Sequence, residues 1–300
     1  MGGREQIRVV GDGLSVLAPA KINLSLLIAG RRPDGFHDIE TLMAKINWYD
    51  EVFFEHGRQR GIELICKGPH WAPTGPENLV YRAAETLLEH CGSRAQLRVT
   101  LTKNIPAGTG LGSASSDAAA TLIGLNRYLK LGCGRQKLSE LAATLGSDVA
   151  FFLNGPLAFC TGKGEKVEKI VENFDFLALL ILLEISVSTK EVYANYRHDR
   201  VLYEKLTVKI NGHLKEKRID LVAGMCANML QGSCFDLVES LAKLKKKVES
   251  LNIGPCCLSG SGSAMFSIIE NADEELAGRW KHTLEKEIGC KSVIVRNNGW

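Results

Sequence analysis

No stretch of this chain is apolar for long enough to cross a bilayer: the longest such run, Phe176 to Leu183, stops at Glu184, far short of the ~20 residues a spanning helix needs. The first residues carry charge and glycine in place of an apolar signal segment or a Ser/Arg-rich transit peptide, so a cytoplasmic location is expected. No C-x-x-C pair occurs among the nine scattered cysteines, and adjacent Cys256 and Cys257 suit neither a chelating site nor an ordinary disulfide. Reduced thiols are therefore expected. Neither sign of charge dominates, with 37 basic against 34 acidic residues and a net charge of +3, which argues against a nucleic-acid partner. The one lysine cluster, Lys243, Lys245, Lys246 and Lys247, alternates with Leu241, Leu244 and Val248 at helical spacing and reads as a solvated helix face. Two common phosphate-binding signatures are also missing. No Gly-Lys is followed by Ser or Thr, as a P-loop requires, and Gly108, Gly110 and Gly112 have the wrong spacing for a dinucleotide-binding G-x-G-x-x-G. Internal repeats and low-complexity tracts are absent too.

What is present suffices for one large or two moderate domains, with 300 residues of which 45% are apolar. A polar, charged stretch at 165–175 precedes a new apolar strand, which divides the chain into residues 1–170 and 171–300. Strands are expected over 14–30 (with a possible break at Pro19), 50–56, 62–67, 97–102, 176–183, 255–258, 264–269 and 291–296. Helices are expected over 78–91, from 118, and over 138–145, 219–230, 234–251 and 273–288.

Four features carry chemistry. Pro106-Ala107-Gly108-Thr109-Gly110-Leu111-Gly112-Ser113-Ala114-Ser115-Ser116 lies between a strand and a helix and leads into Asp117, in the helix's first turn, where the dipole favours an acid. Its glycines let backbone N–H groups approach a ligand, and a helix N-terminus adds positive potential, so the segment reads as a phosphate cradle; alone, it also fits a flexible turn. In the first strand Lys21, Asn23 and Ser25 alternate with Ile22, Leu24 and Leu26, which sets a cation beside an amide on one face that would otherwise be plain exposed sheet. Phe36 and His37 follow the turn Arg32-Pro33-Asp34-Gly35 and could hold a planar heterocycle or simply begin a strand. Ser147 would cap a segment beginning at Val149, leaving Asp148 in its first turn either as a dipole-stabilised proton acceptor or as a plain capping acid.

Together these features resemble the GHMP kinase superfamily, which includes galactokinase, homoserine kinase and mevalonate kinase. Pro19-Ala20-Lys21-Ile22-Asn23 is similar to its first motif, 106–119 to its second, and Leu258 to Ala264, with its core Ser259-Gly260-Ser261-Gly262-Ser263, to its third. Arg31 to His37 and Leu145 to Val149 resemble the branch whose acceptor is a cytidine diphosphate-linked methylerythritol. The resemblance implies an α+β, two-domain fold: a domain like ribosomal protein S5 domain 2, then a ferredoxin-like domain, with the site between them. It implies an ATP-dependent kinase, with Mg²⁺, acting on that small molecule's 2-hydroxyl; a homoserine- or mevalonate-type kinase and a non-catalytic nucleotide-binding regulator are the alternatives. A monomer or weak homodimer is expected.

By the same resemblance, Asp148 matches the catalytic base and Lys21 its orienting partner, while 106–116 match the ATP loop. Asn23 and His37 match acceptor contacts, Phe36 and Tyr193 two rings that sandwich the cytosine, and Thr189 a neighbouring pocket residue. Gly260 and Gly262 would bring the third motif near the site, no metal-ligating side chain is implied beyond Ser115 as a candidate Mg²⁺ contact, and Ser113-Ala114, where two glycines are usual, would add a hydroxyl near the phosphates. Phe36 for Tyr, Glu184 for Pro, and Asn228-Met229-Leu230-Gln231 for Asn-Asp-x-Glu are further departures from the pattern.

Overall fold

Two long, bulged strands form the frame on which the site is built. The computed structural model describes residues 5–172, 174–269 and 272–298. After β1 (Ile7–Val10), β2 (Gly13–Arg31) runs antiparallel to β3 (His37–His56). Pro19, which cannot donate to the ladder, does not end β2; the register slips between Pro19 and Ala20 and the strand continues. Both faces of β2 are covered almost throughout, so the expected polar face at Lys21, Asn23 and Ser25 is buried. β3 divides its free edge, pairing at 51–56 with β5 (Gln96–Thr102) and at 39–44 with β6 (Leu157–Gly162). β4 (Gly61–Lys67) adds to β5 in parallel and β7 (Lys166–Lys169) to β6, completing a seven-stranded sheet.

Four helices pack against this sheet: α1 (Leu79–His90), α2 (Ser113–Tyr128), α3 (Arg135–Leu145) and α4 (Val149–Phe152). Asn78 caps α1 through its side chain, which accepts from the Val80 N–H. The second sheet has the order β11-β8-β10-β9, all antiparallel, from β8 (Leu177–Leu182), β9 (Cys257–Leu258), β10 (Met265–Ile269) and β11 (Lys291–Arg296). Its helices are α5 (Thr189–Asn195), α6 (Arg200–Lys215), α7 (Ile219–Gly224), α8 (Gln231–Leu237), α9 (Glu239–Ser250) and α10 (Glu274–Glu287). In α9, Leu241, Leu244 and Val248 are buried and Lys243, Lys246 and Lys247 exposed, as their spacing implies, but Lys245 is half-buried and bonds the Cys256 carbonyl. The two halves share a core in which Ile22, Leu24 and Leu26 of β2 join residues of α7 and β8, and backbone bonds from Leu26 to Ala227 and from Met229 to Leu26 stitch them together.

Three expectations fail here. The helix expected over 219–230 ends at Gly224, because Cys226 takes φ +47° and turns the chain. That turn also brings Cys226 to Cys257, with Cα atoms 4.9 Å apart, and the two form a disulfide where reduced thiols were expected. The segment expected as one helix over 234–251 is divided into α8 and α9 at Val238.

Candidate active site

Lys21 is almost fully buried, and its ammonium can reach only what the fold sets around it. Nζ donates to Asn23 Oδ1 at 2.5 Å and lies 3.5 Å from Asp148 Oδ2. Asn23 is fixed in turn by donating to Thr41 Oγ1 (2.8 Å), which donates to the Ser25 carbonyl (2.6 Å). Burial pulls the Lys21 ammonium below the usual lysine value, and the Asp148 carboxylate opposes that pull. Asp148, not Ser147, is the residue preceding the first turn of α4, and its side chain makes no capping bond. The capping role considered for it is therefore unfilled, and its carboxylate, about 30% exposed, faces the cleft beside Lys21.

The glycine loop is held by its carbonyls. Those of Gly108, Thr109, Gly110 and Leu111 accept from Val187 N, Ala264 N, Ser259 Oγ and Lys21 N at 2.9–3.2 Å. Among the described residues no protein acceptor receives the N–H groups from Gly110 to Ala114, and Gly112 gives α2 no side-chain cap. A 16-residue helix thus opens onto the cleft with its first-turn donors free, the arrangement that binds anions. The glycines are needed for packing as well as for ligand approach. At positive φ, a Cβ on Gly110 would stand 2.1 Å from the Ser259 carbonyl, and one on Gly112 would stand 2.9 Å from Lys21 Cγ. The third motif closes the site from the other half: a Cβ on Gly260 would stand 3.3 Å from both Lys21 Nζ and Asn23 Oδ1. Asn228 anchors that motif by donating to the Leu258 and Gly260 carbonyls.

The contact of His37 with Tyr193 sets the Phe36-His37 pair beside α5, which carries both Thr189 and Tyr193. The His37 ring lies 5.3 Å from Tyr193 and 5.8 Å from Tyr196. Burial, helped by Arg31 and His198, lowers the His37 pKa and keeps its ring neutral near pH 7. Phe36 is exposed, and the Lys163 ammonium sits over its ring at 4.8 Å. Thr189 bonds Ser261 of the third motif through its hydroxyl at 2.8 Å. Burial also raises the Tyr193 phenol, with a smaller push from Asp148. A cavity of about 1050 Å³ opens elsewhere beside α6 and α7; Lys217 and Arg218 on its rim are already paired, with Glu172 and Asp220.

With this geometry in place, comparison with known proteins is decisive. Residues 78–156 match the GHMP kinases N terminal domain and residues 212–286 the GHMP kinases C terminal family. The 4-diphosphocytidyl-2-C-methyl-D-erythritol kinase of Syntrophus aciditrophicus is 36% identical over 87% of this chain and 91% of its own length. The enzyme of that name from Chloroherpeton thalassium is 37% identical over 88% and 91%. A crystal structure of 4-(cytidine 5'-diphospho)-2C-methyl-D-erythritol kinase superposes with a TM-score of 0.73 at 30% identity, covering 95% of this chain and all of that one. The chain belongs to the 4-diphosphocytidyl-2-C-methyl-D-erythritol kinase family. Homoserine kinase from Cytophaga hutchinsonii shares the GHMP fold, with a TM-score of 0.76, but is only 19% identical.

Beneath the glycine loop lies a buried charge cluster that no motif in the sequence announced. Ser113 Oγ turns inward, donating to Asp50 Oδ2 at 3.0 Å and bonding Lys103 Nζ, so its hydroxyl does not add a donor toward the cleft. Lys103 also bonds Asp50 and lies 2.7 Å from Asp117 Oδ2, while Asp50 Oδ1 accepts from the backbone of Asn104 and Ile105. Both ends of the loop are thus tied to one buried cluster. Asp117, expected to serve the helix dipole, serves this cluster instead. Its carboxyl is pushed up to about 8 by burial and by Asp50, against the pull of Lys103. The signal in the sequence was three charged residues at positions otherwise reading as core; their pairing needed the fold.

Proposed function

We propose that this protein transfers the γ-phosphoryl group of ATP to the 2-hydroxyl of 4-diphosphocytidyl-2-C-methyl-D-erythritol. The observation that carries the reading is the Lys21 ammonium, held between Asn23 and Asp148 at the open N-terminus of α2. The acceptor oxygen forms a bond to the γ-phosphorus as the bond to the β,γ-bridging oxygen breaks, and ADP leaves. The hydroxyl proton passes to the Asp148 carboxylate. Lys21 orients that carboxylate and compensates charge, and the free amides of 110–114 cradle the phosphates. Such transfers proceed through a loose transition state, so positioning and charge compensation do most of the work.

His37 is suited to read the cytosine edge, since a neutral imidazole both donates and accepts. Phe36 and Tyr193 offer faces for the base, each stack worth ~1–3 kcal/mol, and Thr189 shapes the wall beside them. For Phe36 this requires the Lys163 ammonium to yield its place. A Mg²⁺ would be carried mainly by nucleotide oxygens and water. Ser115 is the protein hydroxyl suited to touch it, and the ion would neutralise phosphate charge. In this reading residues 1–170 carry the nucleotide loop and the catalytic pair, and 171–300 supply Thr189, Tyr193 and the third motif. Substrates this highly charged do not cross membranes unaided, which supports a cytoplasmic location.

The test is ATP turnover with 4-diphosphocytidyl-2-C-methyl-D-erythritol beside homoserine, mevalonate and galactose. Turnover at least 10²-fold faster with the first is expected; turnover of one of the other three alone would refute the assignment.

A further inference from the structure

Lys45 is a second buried lysine, 2% exposed, that the proposed chemistry does not use. It stands directly opposite Lys21 in the β2–β3 ladder. Directly opposed residues of an antiparallel pair project to the same face, so both lysines meet the short helix that follows Asp148. Lys21 reaches the carboxylate at its start. Lys45 reaches its end, donating to the carbonyls of Phe152 (3.1 Å) and Asn154 (2.7 Å), with its ammonium 5.9 Å from the centre of the Phe151 ring.

We propose that Lys45 is a positioning residue for phosphoryl transfer, holding the C-terminal end of α4 so that Asp148 at the other end stays aligned with Lys21. The inference rests on the reading of Asp148 as proton acceptor. A four-residue helix rises only ~6 Å, too short for its ends to relax independently. Its N-terminal end is lightly held: Asp148 makes no capping bond, and Val149 N reaches the Gly146 carbonyl at 3.2 Å. The C-terminal end is held firmly. Lys45 donates to the Phe152 carbonyl in the last turn and to the Asn154 carbonyl just beyond it. From the outer side Asn154 donates to the Ala150 carbonyl and accepts from Arg135, both at 2.8 Å. Stability does not explain a lysine here, because burial and the facing Arg135 lower its pKa to about 7. A methionine of similar shape would avoid that burial cost.

The experiment measures kcat, KM and melting temperature for Lys45→Met, Asp148→Asn and the double variant. Lys45→Met should lower kcat about tenfold, leave both KM values within twofold, and leave the melting temperature unchanged or higher. In the Asp148→Asn background the same change should lower kcat no further, since the carboxylate it aligns is gone. Should Lys45→Met not fold, Asn154→Ala removes the outer clamp and should show the same pattern at about threefold. A kcat unaffected by either variant, a loss carried by KM, or an equal loss in both backgrounds would overturn the proposal. Asp148→Asn at full activity would instead overturn the assignment of the base.

Discussion

At Asp117 a single residue reports on the buried cluster under the glycine loop. Two carboxylates share one ammonium there, and Asp117 Oδ1 has no hydrogen-bond partner. A carboxyl raised to about 8 keeps its proton at neutral pH in the folded state, while the unfolded chain has lost it above ~4. The folded state therefore binds the extra proton between those values, and its stability falls as pH rises toward 8. Asp117→Asn should remove that slope: between pH 5 and 8, wild type loses up to about 1.4 kcal/mol per pH unit relative to the variant, with a constant difference above pH 8. Denaturant unfolding at each pH measures this, and parallel curves for the two proteins would contradict it. At this scale the sequence was legible where alternation is strict, as for Lys21 and Asn23 on one face. It was not legible where direction depends on a partner far along the chain, as for Ser113, whose hydroxyl turns to Asp50.

Among the elements, the glycine loop is the least tolerant. A side chain at Gly110 meets a backbone carbonyl of the other half, and φ +76° there costs a non-glycine residue ~1–2 kcal/mol. Gly110→Ala should raise the KM for ATP about tenfold and lower the melting temperature by at least about 2 °C. Gly278→Ala, in α10 with open space at its Cβ, should be neutral or stabilising. Equal behaviour of the two variants would show that the loop does not depend on close packing against the third motif. Elements with one apolar stripe or strict alternation, such as α1 and β5, were readable because a single period set them. β2 matched its expected span, whereas β3 runs well beyond the expected 50–56 because its edge is shared between two partners. α7 stopped early because Cys226 reverses the backbone, and periodicity carries no sign of that.

In the whole molecule, neither half contains the proposed site alone. Lys21, Asn23, Asp148 and the loop come from the first sheet and its helices, while Ser259, Gly260 and Tyr193 come from the second half. Motif order was enough to indicate this division, since three motifs spread over the chain must converge to act. It could not indicate the cross-strand partnership of Lys21 with Lys45 or the buried cluster at Lys103. The central claim is that this convergence moves a phosphoryl group from ATP to an alcohol through Asp148. Phosphorus NMR of a single turnover, with enzyme in excess over 4-diphosphocytidyl-2-C-methyl-D-erythritol and ATP, tests it most directly. The account predicts one new phosphomonoester signal formed in step with ADP, and a rate reduced about 10²–10⁴-fold in Asp148→Asn. Inorganic phosphate without the monoester, or the monoester formed at an undiminished rate by the variant, would contradict it.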